Sequence, residues 1–176
     1  MSFSNASGDQ ANNLFYPPDA TGELRVAHPS FATDAEAGDD RLSKSPLRSA
    51  PAILGSTGLS SDRDVAVYSS LYDKVAIIRN EELALIYAES NIQTGDLVSA
   101  IIALNNIRNA HGLANTTAVT QSELIDEMLK QRRYSLFFEG HRWIDMRRYN
   151  KLADLPVDRA GDDVWTQFPI PLDEGQ

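Results

Sequence analysis

Gln131–Asn150, QRRYSLFFEGHRWIDMRRYN, is the stretch on which the fold of this chain turns. It carries Arg132, Arg133, Arg142, Arg147 and Arg148 beside Glu139 and Asp145, with Glu127 upstream as a further potential partner and Tyr134, Phe137, Phe138, Trp143 and Tyr149 interleaved. A guanidinium meets a carboxylate through two parallel hydrogen bonds, and aromatic neighbours keep water away from such a pair. Gly140 splits the stretch, so the pattern predicts one helix running to about Glu139 and a shorter one leaving it at a sharp angle. Two roles fit. One is a structural ion-pair corner built on Arg133, Glu139, Arg142, Asp145 and Arg148; the other is an active site with Glu139 or Asp145 as acid or base. Structural networks of the first kind are the commoner, and the sequence favours it.

The helices ahead of the corner are legible from spacing. Thr120-Gln121-Ser122-Glu123 is a capping box. Behind it Leu124, Met128, Arg132 and Leu136 make one stripe, with Ile125 and Leu129 alongside. Further upstream Asn80 is placed to cap a helix whose first turn holds Glu81 and Glu82, well sited against the helix dipole. Leu83, Ile86 and Tyr87 then give that helix an apolar face. Gly95 ends it and Asp96 caps the next, where Leu97, Ala100, Ile101, Leu104 and Ile107 repeat as far as Gly112. The joint Thr94-Gly95-Asp96 is short enough to make the two helices antiparallel neighbours. With Ala88, Gly95 and Ala100 as small residues, the pair reads either as an ordinary helical hairpin or as one tetratricopeptide-type unit. A single such unit cannot cover its own apolar face.

Residues 1–75 differ in character from residues 76–176. The first part is rich in Gly, Pro, Ser, Asp and Ala and reads as a loop-rich segment packing on the helical part. Thr33–Ser45 is charged and solvated, and Phe15-Tyr16-Pro17-Pro18 offers a small aromatic contact. Val75, Ile77 and Ile78 read as an extended approach to the first helix. After Asn150 the chain turns irregular, and Phe168-Pro169-Ile170-Pro171-Leu172 reads as an apolar tail docking on the body. The ordered part is all-α.

Composition removes several function classes. The formal net charge is -9 and the pI about 4.7, and the arginine runs are interleaved with acids, which argues against nucleic acid or an anionic membrane surface as partner. There is no cysteine, hence no disulfide, thiolate nucleophile or thiolate metal site. His28, His111 and His141 stand in no metal-ligand spacing, so neither metal nor cofactor is expected. No nucleophile elbow, P-loop or dinucleotide fingerprint is present, and no Ser or Thr has activating neighbours. Enzymatic activity is not expected.

Four pieces in order, IIRNEELALIYAES (Ile77–Ser90), GDLVSAIIALNNIRNAHGL (Gly95–Leu113), ELIDEMLKQRRYSLFFEGHRWIDMRRYNKL (Glu123–Leu152) and FPIPLDE (Phe168–Glu174), resemble the C-terminal part of the SusD/RagB family. FFEGHRWIDMRR is the most specific of them, and Gly38-Asp39-Asp40-Arg41 is similar to an Asp-Arg element ahead of the family's helices. The resemblance implies tetratricopeptide-like hairpins carrying long irregular loop segments, of which this chain would be an incomplete domain. It also implies a lipid-anchored protein on the extracellular face of the outer membrane. Such proteins bind an oligosaccharide or other nutrient without catalysis and pass it to a SusC-like TonB-dependent transporter. Family members are longer and begin with a signal peptide and a lipidated cysteine, so the expectation is a C-terminal piece of a longer chain. No binding residue carries over by motif. Phe15, Tyr16 and Trp165 are the ligand-binding candidates on physical grounds, since an exposed ring can stack on a sugar's apolar face. A cytoplasmic helical adaptor that binds a peptide is the alternative, and a hydrolase using Glu139 or Asp145 a third reading.

Overall fold

The structure is a computed structural model, and it describes residues 25–55, 57–68, 73–168 and 170. Three helices make its body: α2 (Asn80–Thr94), α3 (Leu97–Ala110) and α4 (Gln121–Ser135). They are preceded by one helical turn, α1 (Ser30–Thr33), a 3-10 turn at Asp40–Lys44 and two strands, and followed by α5 (His141–Arg148). The architecture is helical, with α2 and α3 forming an antiparallel hairpin of tetratricopeptide-like form.

Local chemistry sets the helix ends. Gly95 sits in the left-handed conformation (φ 85°) that closes α2, where a side chain would be strained. Asp96 accepts a hydrogen bond from the Ser99 amide to open α3. The Thr120 hydroxyl and the Glu123 carboxylate satisfy each other's backbone N–H groups to open α4.

The core lies where the three helices meet. Leu85, Ala88 and Ile92 from α2 face Ala100, Leu104 and Ile107 from α3 and Leu124, Met128 and Leu129 from α4, with Leu136 closing the end. This corrects one expectation. The stripe Leu83, Ile86, Tyr87 is the exposed face of α2, 49–56% accessible. Apolar residues surround α2, and the opposite stripe won the core because its small Ala88 and branched Leu85 and Ile92 allow closer packing. Asn80 is likewise the first helical residue; Arg79 occupies the cap position without a side-chain cap bond.

The loop-rich segment contains more regular structure than its composition announces. β1 (Leu47–Ile53) pairs antiparallel with β2 (Ser60–Arg63), in the register Leu47–Arg63, Ala52–Ser61 and Ile53–Ser60, with an irregularity between Leu47 and Ala52. Val26 bridges to Asp64, and the Ser61 hydroxyl donates to the Ala27 carbonyl at 2.6 Å. Pro51 inside β1 and the polar sequence of β2 hide the hairpin, since proline removes a ladder donor. Among the described residues no helix is long and apolar enough to cross a membrane.

Candidate functional site

The corner begins where α4 stops. The helix ends at Ser135, four residues short of the expected Glu139, and a turn of Leu136–Gly140 leads into α5. Apolar periodicity continues through Leu136 and Phe137, so the stop is tertiary in origin. Lys44 donates to the carbonyls of Tyr134 (2.9 Å) and Ser135 (2.7 Å), and Arg79 also donates to Ser135. Cations on the terminal carbonyls cap the helix and complement its dipole. In the turn Phe138 takes φ 67° and Gly140 φ 80°. The first of these is a rare conformation for a bulky side chain.

Arginines fasten the irregular segment to this helix end and to α3. Arg41 grips Asp39 through two bonds of 2.8 Å, both residues buried, and its third arm reaches the Ser135 hydroxyl at 3.0 Å. Burial pushes the Asp39 carboxyl up, but the Arg41 bonds outweigh it and the net direction is down. Ser135 donates to Glu81, and His111 spans from Glu81 (2.8 Å) to Asp40 (2.7 Å), which closes a polar ring through four elements. A second cluster centres on Arg108. It holds Glu36 through two bonds (2.8 and 2.7 Å), Glu127 at 2.6 Å and the Ala114 carbonyl. With Lys130 also at 2.9 Å, hydrogen bonds led by those from Arg108 hold the Glu36 carboxyl down at about 2 against burial.

The structure places the five expected corner residues unequally. Asp145 is buried between Arg132 (2.7 Å) and Arg148 (3.0 Å), and Arg148 continues to Glu89 at 2.6 Å. Tyr149 also donates to Glu89, and its hydroxyl is pushed up to about 12 by burial and by that bond. Arg133 turns away to Asp34 (2.8 Å) and the Ser30 hydroxyl. Glu139 pairs with Arg79. Among the described residues Arg142 makes one hydrogen bond, a 3.4 Å contact to the Leu129 carbonyl. The partners Glu89, Asp34 and Arg79 escaped the sequence reading, as did Arg108 and Glu36; Glu127 was expected as a partner, but of the corner arginines and not of Arg108. Arg108 did leave a signal: four residues after Leu104, it falls on the buried stripe of α3, where an unpaired cation would be costly.

Two clefts open on either side of the 136–140 turn. One, of about 460 Å³, is walled by Phe137, Phe138, Trp143, Leu155 and Pro156 and carries Arg142. The other, of about 660 Å³, runs along Val75–Ile77 and Glu82. Phe138, Gly140 and His141 line both. Of the three aromatic candidates, Phe15 and Tyr16 lie outside the described residues. Trp165 is 55% exposed and lines neither cleft; its carbonyl accepts from the Trp143 indole at 2.9 Å. The FPIP tail touches the body through Phe168, whose ring is 5.0 Å from that of Trp143. Pro169, Pro171 and Leu172 lie outside the described residues. Among the described residues no group of three or more acids and histidines is placed to hold a metal ion.

These features define a class: a helical-hairpin scaffold whose last helix pair is locked by arginine–carboxylate bonds to a loop-rich segment. The SusD family model matches residues 61–167, well over half of the 176 residues, and the chain belongs to that family. It is similar to SusD-like protein P38 of Formosa agariphila, 31% identical over 121 residues that cover 61% of this chain and 24% of the relative. Among solved structures it is similar to a SusD-like protein of Bacteroides fragilis, 28% identical, with a TM-score of 0.43 over 51% of this chain and 20% of that one. The chain thus spans about a quarter of the length of the curated relative it matches.

Proposed function

We propose that this chain contributes to non-catalytic capture of an oligosaccharide or other small nutrient at the bacterial cell surface. The protein it serves sits on the extracellular face of the outer membrane and delivers that nutrient to a SusC-like TonB-dependent transporter. The match of residues 61–167 to the SusD family carries this reading. Residues 1–75 act as a loop-rich segment packed on the helical region 76–176, and the Asp39–Arg41–Ser135 and Glu36–Arg108 contacts support that division. Local chemistry supports binding over catalysis: Asp145 is committed to two arginines and Glu139 to Arg79, which leaves neither poised for proton transfer. Aromatic rings supply the sugar-stacking surface: Trp165, which is exposed, together with Phe15 and Tyr16, which lie outside the described residues.

The test is a glycan-binding screen on the protein isolated from its source membrane, with the transporter sought by co-purification. Retention of a glycan and of a TonB-dependent partner supports the reading. A soluble cytoplasmic chain that binds peptides and no glycan overturns it. Joint replacement Phe15→Ala, Tyr16→Ala and Trp165→Ala is expected to abolish glycan retention, and unchanged affinity removes these three rings from the site.

A further inference from the structure

Arg142 stands apart among the partly buried arginines of the corner; Arg147 also meets no carboxylate within 4.0 Å among the described residues, but it is exposed and lies over the Trp143 ring, 5.4 Å from its centroid. Arg41, Arg108, Arg132, Arg133 and Arg148 each meet a carboxylate at 3.0 Å or less. Among the described residues Arg142 meets none within 4.0 Å, although it is partly buried. The acids that line its cleft are already claimed: Asp34 by Arg133, Asp145 by Arg132 and Arg148, and Asp154 by Lys151 at 3.9 Å. Burial and the neighbouring Arg133 pull Arg142 below its ordinary value and outweigh the opposing charges of Asp145 and Asp154, neither of which lies within 4.0 Å of it. A half-desolvated cation with no carboxylate in direct contact favours an incoming anion.

Two further features of the same cleft point the same way. Phe138 holds the left-handed conformation with its ring 37% exposed, on the wall of both clefts. Strain of this kind collects at binding sites, where the surroundings hold a side chain in place for contact. The first turn of α5 also lines the cleft, and it has neither a capping side chain nor an acid. The positive end of that helix therefore adds to the potential of Arg142. Phe137, Trp143, Leu155 and Pro156 give the wall an apolar part beside the polar His28, Asp34, Arg133 and Asp145, and about 460 Å³ is ordinary for a small-molecule site.

We propose that this cleft binds an acidic sugar, its carboxylate paired with the Arg142 guanidinium and its apolar ring face laid on Phe138. The proposal rests on the saccharide-binding reading above and adds to it a ligand class. One planar fork matches one carboxylate in two bonds, and the aromatic wall beside it suits a ring.

Calorimetric titration of the chain with digalacturonate and with its uncharged methyl ester tests this directly. The acid is expected to bind at least about tenfold more tightly than the ester, the scale of one lost charge-assisted bond. Its affinity falls between about 0.05 M and about 0.3 M salt, as for a partly exposed ion pair. Arg142→Gln removes the preference for the acid, Arg142→Lys keeps part of it, and Phe138→Ala weakens acid and ester alike. Arg159→Gln serves as the control, since Arg159 is exposed, paired with Asp162 and outside the cleft. Equal binding of acid and ester, salt-independent binding of the acid, or full acid affinity in a folded Arg142→Gln protein overturns the proposal. If Arg142→Gln fails to fold, the acid-over-ester ratio and its salt dependence in the unmutated chain decide the matter. Neutral oligosaccharides bound as well as the acid would refute the acidic class and leave the glycan reading standing. Binding of a peptide carboxylate with no saccharide bound would overturn both.

Discussion

At the junction of α2, α3 and α4, Leu85, Ile92, Leu104 and Leu124 are fully buried in an apolar cluster; at the end of α4, a short way off, the buried residues include Asp39, Arg41, Arg132 and Asp145. The first region is held by burial of apolar area, which has no preferred direction and tolerates repacking. The second is held by charge-assisted hydrogen bonds, bidentate at Asp39–Arg41 and single at Arg132–Asp145, which are directional and costly to leave half-made. The difference follows what each region must fasten. Helices bring their own backbone hydrogen bonds and need only a face to bury. The segment from Val26 to Asp64 has one short hairpin and isolated turns among its described residues, so its position depends on specific anchors such as Arg41–Ser135 and Glu36–Arg108.

The sharpest way to break this comparison is to remove one half of a buried pair. Asp39→Ala leaves Arg41 uncompensated and is expected to cost about 4 kcal/mol in denaturant unfolding, whereas Asp39→Leu with Arg41→Met recovers most of that loss. Recovery by the double change would show that the pair orders the segment more than it stabilises it. In the apolar region, Leu104→Ala empties a fully buried site and is expected to cost about 3 kcal/mol, with no dependence on pH between 3 and 7 beyond that of the parent.

Acid should separate the two regions without any mutation. Glu36 has its folded pKa depressed to about 2 from the ordinary 4.5. Its contribution is therefore fully present above about 4.5, and it is lost as the pH falls through that value toward about 2. Hydrogen exchange across residues 26–64 is expected to rise in that window before exchange in α2 and α3 does, and Glu36→Gln should flatten the response. Simultaneous loss of protection in both regions would show that they unfold as one unit.

The smallest effect is expected at Tyr134. Its ring is buried beside Phe31 at 4.9 Å and under the Arg41 guanidinium, but its hydroxyl finds no hydrogen-bond partner among the described residues. Tyr134→Phe should change stability by less than about 1 kcal/mol, since no satisfied bond is lost. A larger loss in thermal unfolding would place a partner on that hydroxyl and enlarge the polar region.

The two regions also differed in how far the sequence revealed them. Gly95, Asp96 and the Thr120–Glu123 box marked helix boundaries because caps are local chemistry, settled within a few residues. The core stripes of α3 and α4 were equally legible from their period. On α2 the period misled, because Leu83, Ile86 and Tyr87 compete with Leu85, Ala88 and Ile92 and only packing decides between them. At the corner, the residue types were visible and their partners were not. Arg133 could have met Glu139 or Asp145 nearby and instead meets Asp34, 99 positions away. The clefts were invisible, for they exist only once the turn at Phe138 meets the Leu155–Pro156 segment on one side and Val75–Ile77 on the other.

By itself the sequence determined the helical class, the hairpin of α2 and α3, the arginine-rich corner and the family. These rest on periodicity, caps and ordered motifs, all readable within short windows. Tertiary structure alone decided which face of α2 is buried, where α4 stops, which carboxylate each arginine holds and why Arg142 is left without one. Each of those outcomes depends on groups that are distant in the chain, such as Lys44 and Ser135 or Arg108 and Glu36, and are brought within hydrogen-bonding distance only by the fold.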